Sequence, residues 1–272
     1  MNARHDAEGH EAAGNEATGN EATGNEARIA EVRAALDRVT DPELDESVVD
    51  LGFITAITVT APDEVDVAFR LPTYWCAANF SYLMASDMRE AVLGLSWVRR
   101  AVIHLDDHMY VEAINEGIAQ GKDFTEVFPA RDGQDLSAIR RNFALKSFER
   151  RQEMLLRHLL AAGHPPETIA AISLTALEAL KLDAEGTVLR TRYLERRHWP
   201  QDVMTVGQGV SPFAFVTRDG ERLMPETLGI YLRHIRRIGL NAEFNGALCR
   251  GLLASRYPGT TPAATPDFIG AG

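Results

Sequence analysis

Three strand-like segments lie close together in the first half of this 272-residue chain, and they limit its fold more than any other feature. Gly52 to Thr60 and Glu64 to Leu71 are rich in β-branched residues and flank the short turn Ala61-Pro62-Asp63, so they predict a hairpin. Val98 to Leu105 predicts a third strand. The chain is therefore expected to form a small sheet that helices cover on one face.

Helical patterns surround these strands. Apolar residues recur at helical spacing from Ile29 to Val39, and Asp41-Pro42 ends the pattern because proline biases the preceding residue away from helix. A second helical stripe from Ala77 to Leu95 separates the second and third strands. The predicted fold class is α+β, with a small α-β-β-α-β domain followed by a mostly α-helical second domain.

The chain is predicted to divide into five segments. Residues 1–27 contain a polar five-residue repeat without large apolar side chains, which indicates a disordered acidic tail. Residues 28–110 form the first domain. Residues 111–135 are poorly periodic and rich in glycine, so they are predicted to be a connector. Residues 136–257 form the helical domain, and 258–272 a flexible tail.

Within the second domain the periodicity predicts six helices and one hairpin. The helices are expected at 136–162, 166–172, 174–181, 186–198, 225–239 and 242–255. The hairpin is expected at 213–223, around an Asp-Gly pair that suits a tight turn.

Charge and composition exclude several function classes. The net charge is −11, and acidic residues predominate in the first 135 residues, which argues against nucleic acid as a partner. No segment approaches the roughly 18 apolar residues of a membrane helix, so no membrane partner is expected. The two cysteines form no disulfide framework, which favours a reducing cytoplasm. Phosphate-binding loops and nucleophile elbows are absent, so the chain is not predicted to be an enzyme.

Cys76 is the first candidate functional residue, because it follows a strand and precedes a helix. The free N–H groups of a helix N-terminus favour the thiolate, so we predict a partly exposed thiol with a lowered pKa that binds metal or reacts. The alternative is a buried cysteine that packs as a small hydrophobic residue. Cys249 lies in a predicted helix beside leucines, and we expect it to be buried and inert.

Three motifs between residues 28 and 108 follow one another in order: Asp41-Pro42-Glu43-Leu44, then Val48-Val49-Asp50-Leu51-Gly52-Phe53-Ile54, then Leu71-Pro72-Thr73-Tyr74-Trp75-Cys76. Together they resemble the iron-sulfur cluster assembly domain family, which includes SufT-like and PaaD-like proteins. The resemblance implies a role in metalloenzyme maturation, with Cys76 as the cluster or partner contact and Asp50 as a nearby acidic candidate. The whole chain resembles two-domain accessory proteins of bacterial soluble di-iron monooxygenases.

Other residues are candidates with open alternatives. His104 and His108 flank two aspartates and could join Cys76 in binding a metal, or could belong to a solvated strand end. Tyr74 and Trp75 could dock a partner or cap the core. Candidate partner contacts also lie on one helical face, which could bind an acidic partner or be merely solvated: Arg233, Arg236 and Arg237.

The sequence thus predicts an accessory maturation factor that handles iron or an iron-sulfur cluster transiently through Cys76. Its predicted partner is a client metalloenzyme, such as a di-iron monooxygenase subunit. A cluster needs about four ligands, so a homodimer or exogenous thiols would have to complete the set. The alternative is a metal-free adaptor that binds and stabilises a client subunit.

Overall fold

The computed structural model describes residues 11–129, 136–197 and 211–258, with side chains from residue 24 onward. The chain divides into two compact units. The first unit comprises residues 1–41, 46–130 and 250–272, and the second comprises residues 42–45 and 131–249. Residues 1–10 and 259–272, which belong to the two predicted tails, lie outside the described residues.

The first unit contains a three-stranded sheet in the order β1-β2-β3. Strand β1 (Ile54–Ala61) pairs antiparallel with β2 (Glu64–Arg70), and β2 pairs parallel with β3 (Arg100–Asp106). The predicted hairpin and third strand are confirmed. Every second residue of the central strand β2 is buried, as expected for a strand with one face on the core.

Helices complete this unit. Helix α1 (Glu11–Leu36) packs against β1, and α2 (Ala78–Leu93) connects β2 to β3 and packs against β3. Helix α3 (Val111–Gln120) also packs against β3, and the short α4 (Phe124–Val127) follows it. The order of the elements from α1 to β3 is the predicted α-β-β-α-β, and the α+β class is confirmed.

Helix α1 begins before the predicted start at residue 28, within the segment predicted to be a tail. Residues 24–27 of α1 are exposed, and the contacts of this helix with the core begin beyond them, with Val32, Ala35 and Leu36 fully buried. The apolar pattern therefore marks where the helix packs rather than where it begins.

The segment predicted as a connector contains α3 and α4. Two of the glycines that predict a loop here, Gly117 and Gly121, serve the helices instead. Gly121 ends α3 in a left-handed conformation, with φ of 64°. Gly117 packs so tightly that a Cβ atom would lie 2.4 Å from Val127 Cγ2. Ile114, Ile118 and Phe124 are buried, so residues 111–129 of the predicted connector are part of the first unit.

The second unit is mostly helical, as predicted. It contains α5 (Leu136–Ala161), α6 (Pro166–Ala171), α7 (Leu174–Ala179), α8 (Ala184–Arg197) and α9 (Pro225–Arg256) up to Cys249. The prediction of two helices in place of α9 is wrong. Gly239 does not end a helix there; it is a buried residue inside the continuous helix α9. No helix of the described ranges is long and apolar enough to cross a membrane.

A buried glutamine organises the core of the second unit. Gln152 is fully buried; its Nε2 donates to Val216 O and to the hydroxyl of Tyr231, while its Oε1 accepts from Tyr193 and from Val216 N. The predicted hairpin at 213–223 forms only an isolated bridge between Val216 and Arg222, with Gly220 left-handed in the turn. These hydrogen bonds satisfy the backbone of Val216 where a longer strand would otherwise do so.

Candidate functional site

Cys76 lies in the loop between β2 and α2, directly before Ala77, the N-terminal cap of α2. Its side chain is half-buried. The loop meets the segment after β3, because Met109 N donates to Tyr74 O at 2.9 Å. Since β2 and β3 are parallel, their carboxyl ends lie at the same edge of the sheet, and this places the two segments together.

The sulfur of Cys76 has one polar neighbour on its own loop. The hydroxyl oxygen of Thr73 lies 3.1 Å from Sγ, and Cys76 N also approaches Thr73 O at 3.5 Å. Nothing in the sequence pattern marks Thr73 as a functional residue. The hydroxyl and the thiol can hydrogen-bond to each other, with either group as the donor.

His108 holds this loop in place. The side chain is 1% exposed, and its Nδ1 accepts a hydrogen bond from Tyr110 N at 3.1 Å. The proton therefore lies on Nε2, which donates to Cys76 O at 2.8 Å and lies 3.3 Å from Ser81 Oγ. Both ring nitrogens are occupied within the protein, so His108 positions the cysteine loop in this arrangement rather than offering a nitrogen to a metal.

Burial lowers the pKa of His108, and the positive charge of Arg256 lowers it further, while the hydrogen bond to the carbonyl of Cys76 partly opposes both effects. As the pH falls, His108 is therefore protonated near its ordinary pKa of 6.5 in the unfolded chain, but only at a lower pH in the folded chain. The stability that neutral His108 contributes is fully present above this value, and it is lost as the pH falls toward the folded pKa.

We expect His108→Gln to reduce the change of the free energy of unfolding with pH just below the ordinary pKa of 6.5. The reason is that glutamine can still donate to Cys76 O but does not titrate. Urea unfolding of wild type and variant from about pH 5 to about pH 8 measures the difference in slope. The matched control is His104→Gln, which makes the same replacement at an exposed histidine of the same unit. Equal slopes for wild type and His108→Gln would contradict the assignment.

The other two candidate metal contacts are exposed. His104 points away from the buried Ile103 and Leu105, as predicted; its Nδ1 lies 3.2 Å from Asn115 Nδ2 and its Nε2 lies 3.3 Å from Asp106. Asp50 is exposed in the turn before β1. Across the described residues, no three His, Cys, Asp or Glu side chains are grouped so that they could hold a metal ion. The structure therefore offers Cys76 without a preformed set of additional protein ligands among these residues.

An apolar rim surrounds the cysteine loop. Trp75 is 70% exposed, Tyr74 is 47% exposed and Met109 is 46% exposed. This exposure favours the docking alternative over the alternative that the two aromatic residues cap the core. Met109 could not be predicted from the sequence, because a single methionine after a strand indicates no function. Its backbone hydrogen bond to Tyr74 places it beside the cysteine loop.

The end of α9 contributes residues to this side of the first unit. Arg256 pairs with the carboxylate of Asp107 at 2.6 Å, and the hydroxyl of Tyr257 donates to the same carboxylate at 2.9 Å. The guanidinium of Arg70 lies 3.9 Å from the ring centre of Tyr257. Asp107 itself has φ of 49°. These contacts fix the turn that precedes His108, and nothing local in the sequence indicates that residues 256 and 257 belong to this unit.

The three candidate arginines of the second unit differ in their surroundings. Arg236 pairs with Glu243 at 2.8 Å and lies 3.9 Å from the buried Glu153, whereas Arg233 and Arg237 are exposed. Cys249 is half-buried, so the expectation that it is buried is wrong. The adjacent Leu248 is itself 50% exposed, because this part of α9 has one side open to solvent.

Known proteins that are similar to this chain match it within the first unit. Residues 29–103 match the family model described as iron-sulfur cluster assembly protein. An uncharacterized protein of Methanocaldococcus jannaschii is 36% identical over 84 residues, which cover 30% of this chain and 84% of that protein. A crystal structure of a domain of unknown function, DUF59, from Bacillus anthracis is 21% identical, with a TM-score of 0.29, and the match covers 31% of this chain and 78% of that one. Through residues 29–103, the chain belongs to the iron-sulfur cluster assembly protein family.

Proposed function

We propose that this chain is a non-catalytic maturation factor that carries iron or an iron-sulfur cluster to a client metalloenzyme through Cys76. The client class proposed is a di-iron monooxygenase, on the basis of the two-domain resemblance described above. Membership of the assembly family connects the first unit with iron-sulfur cluster maturation. The cargo and the client are the parts that go beyond that family assignment.

The observation that carries the proposal is a half-buried thiol, inside the matched region, on a loop that the rest of the unit holds in place. His108 fixes the backbone of the loop through Cys76 O, and Thr73 places a hydroxyl 3.1 Å from the sulfur. A thiolate is the form that binds iron. One thiol fills one position of a cluster that needs about four, so the others come from a second copy, from small thiols or from the client. Such incomplete ligation suits a cargo that is passed on.

The metal-free adaptor remains the second candidate, and the exposed rim favours it. Tyr74 and Trp75 are neighbours in the chain, the backbone of Met109 donates to that of Tyr74, and all three side chains are exposed. Aromatic residues and methionine are enriched at protein interfaces. On this alternative, Cys76 lies at the edge of a docking surface and the chain stabilises its client without metal.

Anaerobic reconstitution distinguishes the two candidates. The full chain is incubated with ferrous iron, sulfide and a small thiol, desalted, and analysed for iron and sulfide per chain. We expect the wild type to retain both and Cys76→Ser to retain neither, because serine is a poor ligand for iron in this setting. The matched control is Cys249→Ser, which removes the other half-buried thiol and should retain the wild-type content.

The result that overturns the proposal is equal metal content in wild type and Cys76→Ser, whether both bind or neither does. Absence of metal from both would leave the adaptor as the function. Metal bound equally to both would place the site elsewhere in the chain.

A further inference from the structure

One side of α9 exposes large apolar residues in a row. Leu240 is 49% exposed, Phe244 is 69% exposed and Leu248 is 50% exposed, and their spacing of four residues keeps them on one side of the helix. Arg233 and Arg237 continue the same side toward the N-terminus and are also exposed. We call these five residues the α9 face. Contiguous exposed apolar patches, unlike single scattered apolar residues, mark interaction surfaces.

The opposite side of α9 explains why this face is not needed for folding. Ile235 is fully buried and Ala242 is 7% exposed, so the helix is anchored in the second unit from the other side. Arg236, between the two sides, is held by Glu243 and Glu153. Arg233 and Arg237, in contrast, form no ion pair within the ranges that the structure describes. The α9 face therefore combines an apolar stretch with two uncompensated positive charges at one end.

We infer that the α9 face docks an amphipathic helix of a partner protein, whose apolar side covers Leu240, Phe244 and Leu248 and whose carboxylates meet Arg233 and Arg237. Laying the apolar side of one helix on another in this way is a common mode of protein recognition. The inference extends the proposed function, since the partner would be the client enzyme. The contacting helix of the client would carry leucine-like residues at intervals of three and four, followed at one end by Asp or Glu.

A second copy of this chain does not fit the face equally well. In an antiparallel pair of α9 helices centred on Phe244, Arg237 would face Gly251 and Arg233 would face Ser255, neither of which carries a charge. The one exposed carboxylate on this side of α9 is Glu226. An antiparallel register that pairs Glu226 with Arg233 or Arg237 would place Phe244 opposite residue 215 or 219 of the other copy. These residues precede α9, so the apolar residues of the two helices would not meet. A parallel pair would place arginine beside arginine. Charge complementarity thus favours a partner that supplies the acidic groups.

Two synthetic helical peptides of about 20 residues test the inference. Both carry the same apolar side, and they differ only in having glutamates or lysines at the end that meets the arginines. Fluorescence anisotropy against the full chain should show the glutamate peptide binding at least about tenfold more tightly. Phe244→Ala should weaken its binding by about tenfold or more. Reversing the charges with Arg233→Glu and Arg237→Glu should invert the preference between the peptides.

Matched variants control for nonspecific effects. Val188→Ala removes apolar surface from another exposed position, and Arg33→Glu with Arg38→Glu reverses two exposed arginines, one in α1 and one just after it; neither should change binding. Cys76→Ser should bind the peptides like wild type, so a failure of metal handling remains distinguishable from a failure of docking. Equal binding of both peptides, or no effect of Phe244→Ala, would overturn the inference. A dimer that Phe244→Ala dissolves in sedimentation equilibrium would also overturn it, because the face would then belong to a second copy.

Discussion

Replacing Asp45 by asparagine is expected to remove about 3–5 kcal/mol from the free energy of unfolding of the second unit. Asp45 is 4% exposed and accepts two hydrogen bonds from Arg151, at 2.7 and 2.8 Å, while Arg151 is itself 6% exposed. Asparagine removes the negative charge and one of the two acceptor oxygens, so the buried guanidinium keeps Glu195, a backbone carbonyl and at most one amide oxygen as partners. Asparagine is the suitable replacement because Asp45 has φ of 53°, a left-handed conformation that asparagine also tolerates.

A double-mutant cycle with Arg151→Met tests whether the pair, rather than either residue, is responsible. Each single variant should be strongly destabilised in urea unfolding followed by circular dichroism. The double variant should recover much of the loss, because no buried charge is left unpaired. The matched control is Arg100→Met, which breaks an exposed pair with Glu64 and should cost no more than about 1 kcal/mol, since water screens that pair.

The pH dependence provides a second check on the same pair. Burial alone would raise the pKa of Asp45, but the hydrogen bonds and charge of Arg151, with Ser147 and Arg196, outweigh burial and lower the pKa below its ordinary 3.8. The stabilisation is therefore present above this value and is lost as the pH falls through the folded pKa. The difference between wild type and Asp45→Asn should shrink in acid. A constant difference down to the lowest pH would contradict the ionic origin of the effect.

Much of the fold follows from local pattern. The alternation in β2 and the helical stripes of α2 and α5 predict elements whose observed bounds lie close to the expected ones, because one face of each element must be buried. The junction that carries Cys76 is predictable for the same reason, since it needs only the end of one strand and the start of one helix. Glycine was the misleading signal: Gly117 lies inside α3, where a Cβ atom would lie 2.4 Å from Val127 Cγ2, and Gly239 lies inside α9, so neither marks a turn.

The surroundings of the site were not predictable, because they depend on contacts between residues far apart in the chain. Pro42–Asp45 lies within the motif region of the first domain, yet it belongs to the second unit, where Asp45 finds Arg151. Arg256 and Tyr257 fix the turn at Asp107 from the other end of the chain. Likewise, nothing in the sequence around His108 distinguishes a buried imidazole that holds a loop from an exposed one that binds metal.

If the proposed function is correct, Cys76→Ser should abolish activation of the client while leaving client binding intact. The substitution removes a metal ligand but changes one atom on a loop whose backbone His108 still holds, so the exposed rim and the α9 face persist.

Reversing the charges of Arg233 and Arg237 should do the opposite. Client binding should weaken, most strongly at low salt, where the attraction of exposed charges is least screened, while the thiol stays reactive. The measurement is made on a di-iron monooxygenase produced together with each variant, comparing its iron content, its activity and its co-purification with the chain. A Cys76→Ser variant that yields fully active, iron-loaded enzyme would falsify the thiol-centred mechanism, and the exposed rim would then be the part of the first unit that acts on the client.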